Sequence, residues 1–183
     1  RLSAMRLAVA SAVRAGVPVV LHYDHGLTFD KCMQALQCGF SSLMYDCSTA
    51  AYEKNVRSVR ELAKIAHAFG ATVEAELGHV GNAEGGEEEE APADPESYYT
   101  DPAQAALFIA RTNADALAIA VGTAHGAYKL PPKLDFDRIT KIGSAIPTPL
   151  VLHGGSGLTD ADFRHAVACG ISKVNIFTDI NNA

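Results

Sequence analysis

Ala116-Leu117-Ala118-Ile119-Ala120-Val121-Gly122 is the longest apolar run in the chain. It is apolar throughout instead of alternating, which marks a strand buried on both faces, as in a parallel sheet. Just beyond it come Thr123, Ala124, His125 and Gly126, where polar and glycine residues take over. Five further short runs repeat this plan: Val17–Tyr23, Ser42–Tyr45, Thr72–Leu77, Leu150–His153 and Lys173–Phe177. Between the runs lie segments with apolar residues at helical spacing: Phe29–Cys38, Ala51–Phe69, Pro102–Thr112, Phe136–Ile146 and Ala161–Cys169. Asp101 before Pro102 reads as an N-cap with proline at the first helical position, and Gln104 stands where a capping box places it. Thr159 and Asp162 repeat the signal more weakly.

Strict alternation of strand and helix predicts right-handed βαβ units and one parallel sheet. No GxGxxG follows the first strand, which argues against a doubly wound dinucleotide-binding sheet. Polar residues gather after six separate strand ends, which suits an α/β fold of the (β/α)8 TIM-barrel type. A whole barrel takes about 250 residues, and this chain has 183. The expectation is therefore a single domain, residues 1–183, holding an incomplete barrel of about six parallel strands, strands 3 to 8. Two N-terminal βα units and a C-terminal helix are expected to be missing. Strands Val17–Tyr23 and Lys173–Phe177 would then present unpaired edges, with Val19 and Ile176 partly exposed.

Composition narrows the function classes. The chain is 48% hydrophobic and 20% charged, with a formal net charge of -6, so it carries no basic footprint for nucleic acid. No apolar run approaches the ~20 residues of a membrane span, and Arg1–Met5 does not read as a signal peptide. Cys32, Cys38, Cys47 and Cys169 form no CxxC pair and suggest neither a zinc knuckle nor a disulfide scaffold. Reduced thiols in a cytoplasmic protein are the simpler reading. The stretch from Gly78 to Thr100, with its glycines, two prolines and the acidic run Glu87–Glu90, is too long for a plain connection and reads as a mobile loop or a lid.

Seven histidines occur. His25, His125 and His153 each end a predicted strand and are each followed by glycine. In a parallel barrel they meet over one mouth, and three imidazoles around an open fourth position describe a catalytic zinc site. His67 and His165 fall within helices and read as surface or packing residues; His22 reads as a satisfied core histidine. Asp24, beside His25, is either an orienter of that ligand or an acid/base group. Glu74 and Glu76 share one face of the third strand; one is an additional metal ligand, or both line the mouth. Asp46 orients a ligand histidine or caps the following turn. His153-Gly154-Gly155-Ser156-Gly157 and Val174–Asp179 follow the last two strands, where barrels bind phosphate through backbone N–H groups.

Five motifs, in order along the chain, resemble those of class II fructose- and tagatose-bisphosphate aldolases. They are Leu21-His22-Tyr23-Asp24-His25-Gly26, Val73-Glu74-Ala75-Glu76-Leu77-Gly78, Ala120–Gly126, Leu152–Gly157 and Lys173–Asp179. The resemblance implies zinc held by His25, His125 and His153, with Asp24 as the catalytic acid/base and Glu76 able to approach the metal. It implies that Gly126, Gly154, Gly155, Ser156, Asn175, Ile176, Phe177 and Thr178 hold a dihydroxyacetone phosphate. Glu84, eight residues after Glu76, falls where some members carry a loop glutamate that moves a proton. A monovalent cation near the phosphate, and a homodimer or homotetramer of the full-length protein, belong to the same implication.

The implied reaction is reversible cleavage of a ketose 1,6-bisphosphate, fructose ahead of tagatose, to dihydroxyacetone phosphate and glyceraldehyde 3-phosphate. Two rivals stand beside it: another zinc-barrel enzyme, such as a hydrolase that uses the metal to activate water, and an inactive sugar-phosphate-binding fragment.

Overall fold

The computed structural model describes residue 14 and residues 16–81, 95–126, 128 and 132–183. Six strands pair in chain order into one parallel sheet: β1 (His22–Gly26), β2 (Ser42–Tyr45), β3 (Thr72–Leu77), β4 (Ala116–Ile119), β5 (Leu150–Leu152) and β6 (Ile171–Val174). Helices α1 (Phe29–Gln37), α2 (Tyr52–Ala68), α3 (Pro102–Thr112), α4 (Phe136–Ala145) and α5 (Asp160–Ala168) make the crossovers, and a short α6 (Thr178–Asn182) follows β6. The sheet curls into a half-barrel. Side chains from β1 and from just beyond β6, the two outermost strands, touch across its mouth.

The helices start where short polar side chains satisfy their first free N–H groups. Thr28 accepts from Lys31 N, Asp101 from Gln104 N and Asp135 from Arg138 N, and Thr159 with Asp162 forms a reciprocal capping box. Between helices and sheet lies the core. Val56, Val59, Leu62, Ala63 and Ala66 of α2 are buried with Val73, Ala75 and Leu77 of β3, and Phe108 of α3 is fully buried. Each such leucine or phenylalanine contributes about 1.5–3 kcal/mol through burial. The intervening residues of β3, Glu74 and Glu76, project to the inner face and are buried as well. Alternation along one strand thus separates an apolar outer layer from a polar interior.

Three boundaries differ from the sequence reading. β1 begins at His22, and Val17, Val19 and Val20 before it are exposed; their apolar character finds no strand partner among the described residues. β6 is Ile171–Val174, because its register sets Ile171 against Leu150, and Phe177 instead caps α6. β4 stops at Ile119, so His125 stands six residues past the strand and is held by its N–H to Gly81 O at 2.8 Å. Ile176 is exposed. All four cysteines are free, Cys32 and Cys47 buried. Among the described residues no helix is long and apolar enough to cross a membrane.

Candidate active site

A regular strand would send the neighbours Asp24 and His25 to opposite faces. Here β1 pairs Tyr23 with Leu43 and Gly26 with Tyr45, one residue more than β2 supplies. The extra residue makes a bulge, His25 takes a left-handed φ of 45°, and both side chains line one cavity. Gly26 permits this turn, since a β-carbon there would lie 2.7 Å from Cys32 Sγ and 2.8 Å from Met44 O.

The cavity, about 350 Å3 in volume, opens at the C-terminal ends of the strands. Asp24, His25, Asp46, His125, Gly126, Gly154, Ser156, Asn175, Phe177 and Thr178 line it, together with Val80. His153 is wholly buried against it. Gly155 and Ile176 lie apart: the Gly155 N–H is taken by Asn175 O at 2.9 Å, and Val174 and Ile176 pack where its side chain would be. Glu84 lies outside the described residues.

Three ring nitrogens converge. His25 Nε2 is 3.1 Å and His125 Nε2 3.4 Å from His153 Nδ1. Carboxylates set the tautomers from behind. His25 Nδ1 donates to Asp46 Oδ2 at 2.9 Å, and His153 Nε2 donates to Glu74 Oε1 at 2.9 Å. Asn175 Nδ2 also lies 3.0 Å from His153 Nε2; being a donor, it bonds only an unprotonated Nε2, and the charge-assisted bond to Glu74 favours the protonated one. The nitrogens left facing one another are therefore both lone pairs, an arrangement that a cation relieves. Among the described residues, His25, His125 and His153 form one group able to hold a metal ion; His22, Asp24 and Glu74, and His25, Asp46 and Glu76, form two more.

Electrostatics divide the carboxylates. Burial pushes the Asp24 pKa up, but His22, 3.6 Å away, and the charges of His25 and His153 outweigh it and bring the group down to about 2. Burial likewise opposes ionisation of Asp46 and Glu74, yet both are held below the usual range, Asp46 by His25 and Ser48, Glu74 by His153 and Lys173. Glu76 goes the other way. Burial raises its pKa, Oε1 accepts from Val80 N at 3.2 Å, and Oε2 has no hydrogen-bond partner and lies 3.6 Å from His153 Nδ1. His125 is pushed down to about 4 by burial and by His25 and His153. His25 is raised: burial lowers it, but Asp46, Asp24 and Glu76 prevail.

Several residues of the site escaped the sequence reading. Lys173 pairs with Glu74. It stands two residues before Asn175, a parity that puts both on the inner face and could have found it. His22, read as a satisfied core histidine, is satisfied at one nitrogen only: Nδ1 bonds Ser42 Oγ (2.7 Å), while its buried Nε2 has no hydrogen-bond partner, 3.6 Å from Asp24 and 3.8 Å from Glu74. Tyr128 Oη accepts from Ala124 N and donates to Gly154 O, both at 2.8 Å, tying the loop after β4 to the turn after β5. His67 and His165 stay outside the site: His67 pairs with Asp115 at 2.8 Å and His165 stacks on Phe136.

A parallel half-barrel whose strand ends gather three histidines, with carboxylates behind them and a glycine-rich turn beside them, defines a barrel protein with a site fit for a metal ion. The chain belongs to the class II fructose-bisphosphate aldolase family, whose profile, described as "Fructose-bisphosphate aldolase class-II", it matches over residues 1–183. It is 44% identical over 175 residues to "Uncharacterized protein YdjI" of Escherichia coli (strain K12), covering 96% of this chain and 62% of that protein. It is 42% identical over 163 residues to a "Fructose-bisphosphate aldolase" of Staphylococcus aureus (strain Mu50 / ATCC 700699), covering 89% and 55%. Among solved structures, the putative fructose-1,6-bisphosphate aldolase from Coccidioides immitis superposes with a TM-score of 0.86 at 34% identity, over 97% of this chain and 63% of that one. The X-ray structure of the YdjI aldolase from Escherichia coli K12 gives 0.81 at 36% identity, over 99% and 60%. The chain thus spans less than two thirds of the length of these relatives.

Proposed function

We propose that this chain carries the zinc-dependent catalytic site of a cytoplasmic ketose 1,6-bisphosphate aldolase, acting on fructose bisphosphate ahead of tagatose bisphosphate. The products are dihydroxyacetone phosphate and glyceraldehyde 3-phosphate, and the full-length protein is a homodimer or homotetramer. The observation that carries the reading is the trio of ring nitrogens, with the tautomers of His25 and His153 fixed by buried or half-buried carboxylates. Zinc–nitrogen bonds of about 2.0–2.1 Å in tetrahedral array separate the nitrogens by about 3.3 Å, and the two separations here are 3.1 and 3.4 Å.

In this mechanism His25, His125 and His153 would hold the ion, and Glu76, whose buried Oε2 has no hydrogen-bond partner, would supply a further oxygen donor. When bound, zinc would act as a Lewis acid, contributing several kcal/mol to stabilising the negative charge that develops in cleavage. Asp24, ionised at neutral pH, takes the proton from the C4 hydroxyl. The C4–O bond becomes the aldehyde carbonyl, and the electron pair of the C3–C4 bond stays with the three-carbon ketose half. Asn175 holds Asp24 in place for this transfer. The backbone of Gly126 and Gly154 and the Ser156 and Thr178 hydroxyls line the space for the phosphate. Glu84 is the second proton carrier of the proposal, returning a proton to C3 as dihydroxyacetone phosphate leaves.

The test is metal analysis joined to product analysis. The intact protein is expected to hold one zinc and to release both triose phosphates from fructose 1,6-bisphosphate, faster than from the tagatose isomer. His125→Ala is expected to lose both zinc and cleavage. Unchanged zinc content in that variant sinks the ligand assignment, and hydrolysis to free phosphate in place of triose phosphates sinks the aldolase assignment in favour of a metal-dependent hydrolase.

A further inference from the structure

We propose that Lys173 is a positioning residue of the metal centre: it pins the buried Glu74 carboxylate, and Glu74 in turn fixes the tautomer and orientation of the His153 ring. The proposal rests on the reading of His153 as a ligand, and it concerns a residue that lies outside the cavity itself.

Glu74 sits on the inner face of β3 with 3% of its side chain exposed. A carboxylate removed from water this far needs donors at both oxygens. Oε1 has His153 Nε2 at 2.9 Å, and Oε2 has Lys173 Nζ at 2.5 Å. Lys173 reaches it from β6, across the curl of the half-barrel, and keeps 37% of its own side chain in solvent. The ammonium is therefore only partly desolvated while the carboxylate gains a full partner.

Without Nζ, Oε2 is a buried oxygen lacking a donor. The nearest other candidate is His22 Nε2, unpartnered and 3.8 Å away. Turning toward it moves Oε1 off the His153 ring. His153 then loses the bond that keeps its proton on Nε2, and Nδ1, which faces His25 and His125, no longer stays a lone pair. The His25 tautomer is insulated from this change, because its Nδ1 proton is held by Asp46 in a separate cluster with Ser48, although its Nε2 lies 3.1 Å from His153 Nδ1. Loss of Lys173 should disturb one ligand and leave another intact.

The experiment reads histidine side-chain 15N resonances of the metal-free intact protein and zinc affinity by chelator competition, in the parent, Lys173→Met and Lys173→Arg. The parent should show His153 as the Nε2–H tautomer alone. Lys173→Met should show mixed tautomers at His153, an unchanged Nδ1–H tautomer at His25, and zinc affinity lower by about 10- to 100-fold, the usual effect of losing an outer partner of a ligand. Lys173→Arg should restore both. An unchanged His153 tautomer in Lys173→Met overturns the proposal, as does a change that strikes His25 and His153 equally, since that reports general disruption. Should the methionine variant not fold, Lys173→Gln is held to the same readouts. If the parent binds no zinc, the metal reading fails while the tautomer measurement still decides the role of Lys173.

Discussion

Asn175 Nδ2 stands 3.3 Å from Asp24 Oδ1, although Asp24 lies on the first strand of the sheet and Asn175 just beyond the last. The contact closes the mouth of a sheet whose outer strands do not pair among the described residues. It also gives the half-exposed Asp24 carboxylate a fixed direction. Asn175→Ala is therefore expected to lower the aldol-cleavage kcat by about 10-fold or more, with zinc content and KM for the phosphate-bearing substrate changed far less. Steady-state kinetics beside metal analysis checks it.

Replacement of Asp24 itself separates proton transfer from metal holding. Asp24→Ala is expected to lower kcat by about two orders of magnitude or more, the usual worth of a positioned acid/base group, while one zinc stays bound. Loss of zinc in this variant would make Asp24 a structural neighbour of His25 instead.

Asp46 should behave in the opposite way. Its Oδ2 takes the His25 Nδ1 proton at 2.9 Å, and Ser48 donates to its other oxygen through both N–H and Oγ. Asp46→Ala is expected to weaken zinc binding by about 10- to 100-fold, read by chelator competition. Activity should return at saturating zinc, which it would not do for a residue that moves protons.

Gly154 has φ 68°, and a β-carbon there would overlap the carbonyl of Ala124. Gly154→Ala is therefore expected to destabilise by about 2 kcal/mol or more, the sum of left-handed backbone strain and overpacking. Urea unfolding measures it. A shift of under about 0.5 kcal/mol, the range of an ordinary surface substitution, would mean that the two loops do not interlock as described.

A pH-dependent difference is expected far from the site. Asp135 caps α4 at Arg138 N (2.9 Å) and pairs with Arg138 Nε (2.9 Å). Burial opposes its ionisation, but these bonds hold its pKa below the ordinary value. A carboxyl lowered on folding stabilises above the unfolded pKa of about 3.9 and loses that contribution as pH falls through the lower folded value. Asp135→Asn keeps a capping side chain but removes the charge. It should cost about 0.3–1 kcal/mol at pH 7, and the difference from the parent should close below about pH 4. A constant difference across that range would assign the effect to packing.

Much of this architecture was legible because chemistry and period coincide. Val73 to Leu77 alternates apolar and acidic residues, and a strand with helices on one side and a polar interior on the other requires that pattern. His153 follows directly on a run that is apolar throughout, so its position at a strand end could be read. What could not be read depends on register. Val17 to Val20 looks like a strand by composition, yet the paired segment starts at His22, because composition says nothing about which residues find a neighbour. The bulge that turns both Asp24 and His25 into one cavity leaves no mark in sequence beyond Gly26. The parity of Lys173 with Asn175 marks the inner face, but its pairing with Glu74 on β3 shows only once the sheet curls.

His25, at φ 45°, is one of two described residues other than glycine with a left-handed backbone. A bulky side chain in that conformation costs about 1 kcal/mol or more. Gly or Asn at position 25 would ease the backbone and leave the cavity without one of its imidazoles. Fold and chemistry thus want different residues at this one position. A library of variants screened only for thermal tolerance should drift away from histidine there, and a screen for turnover should bring it back. The strain at His25 records, in a single torsion angle, that the site was not assembled for the sake of the sheet that holds it.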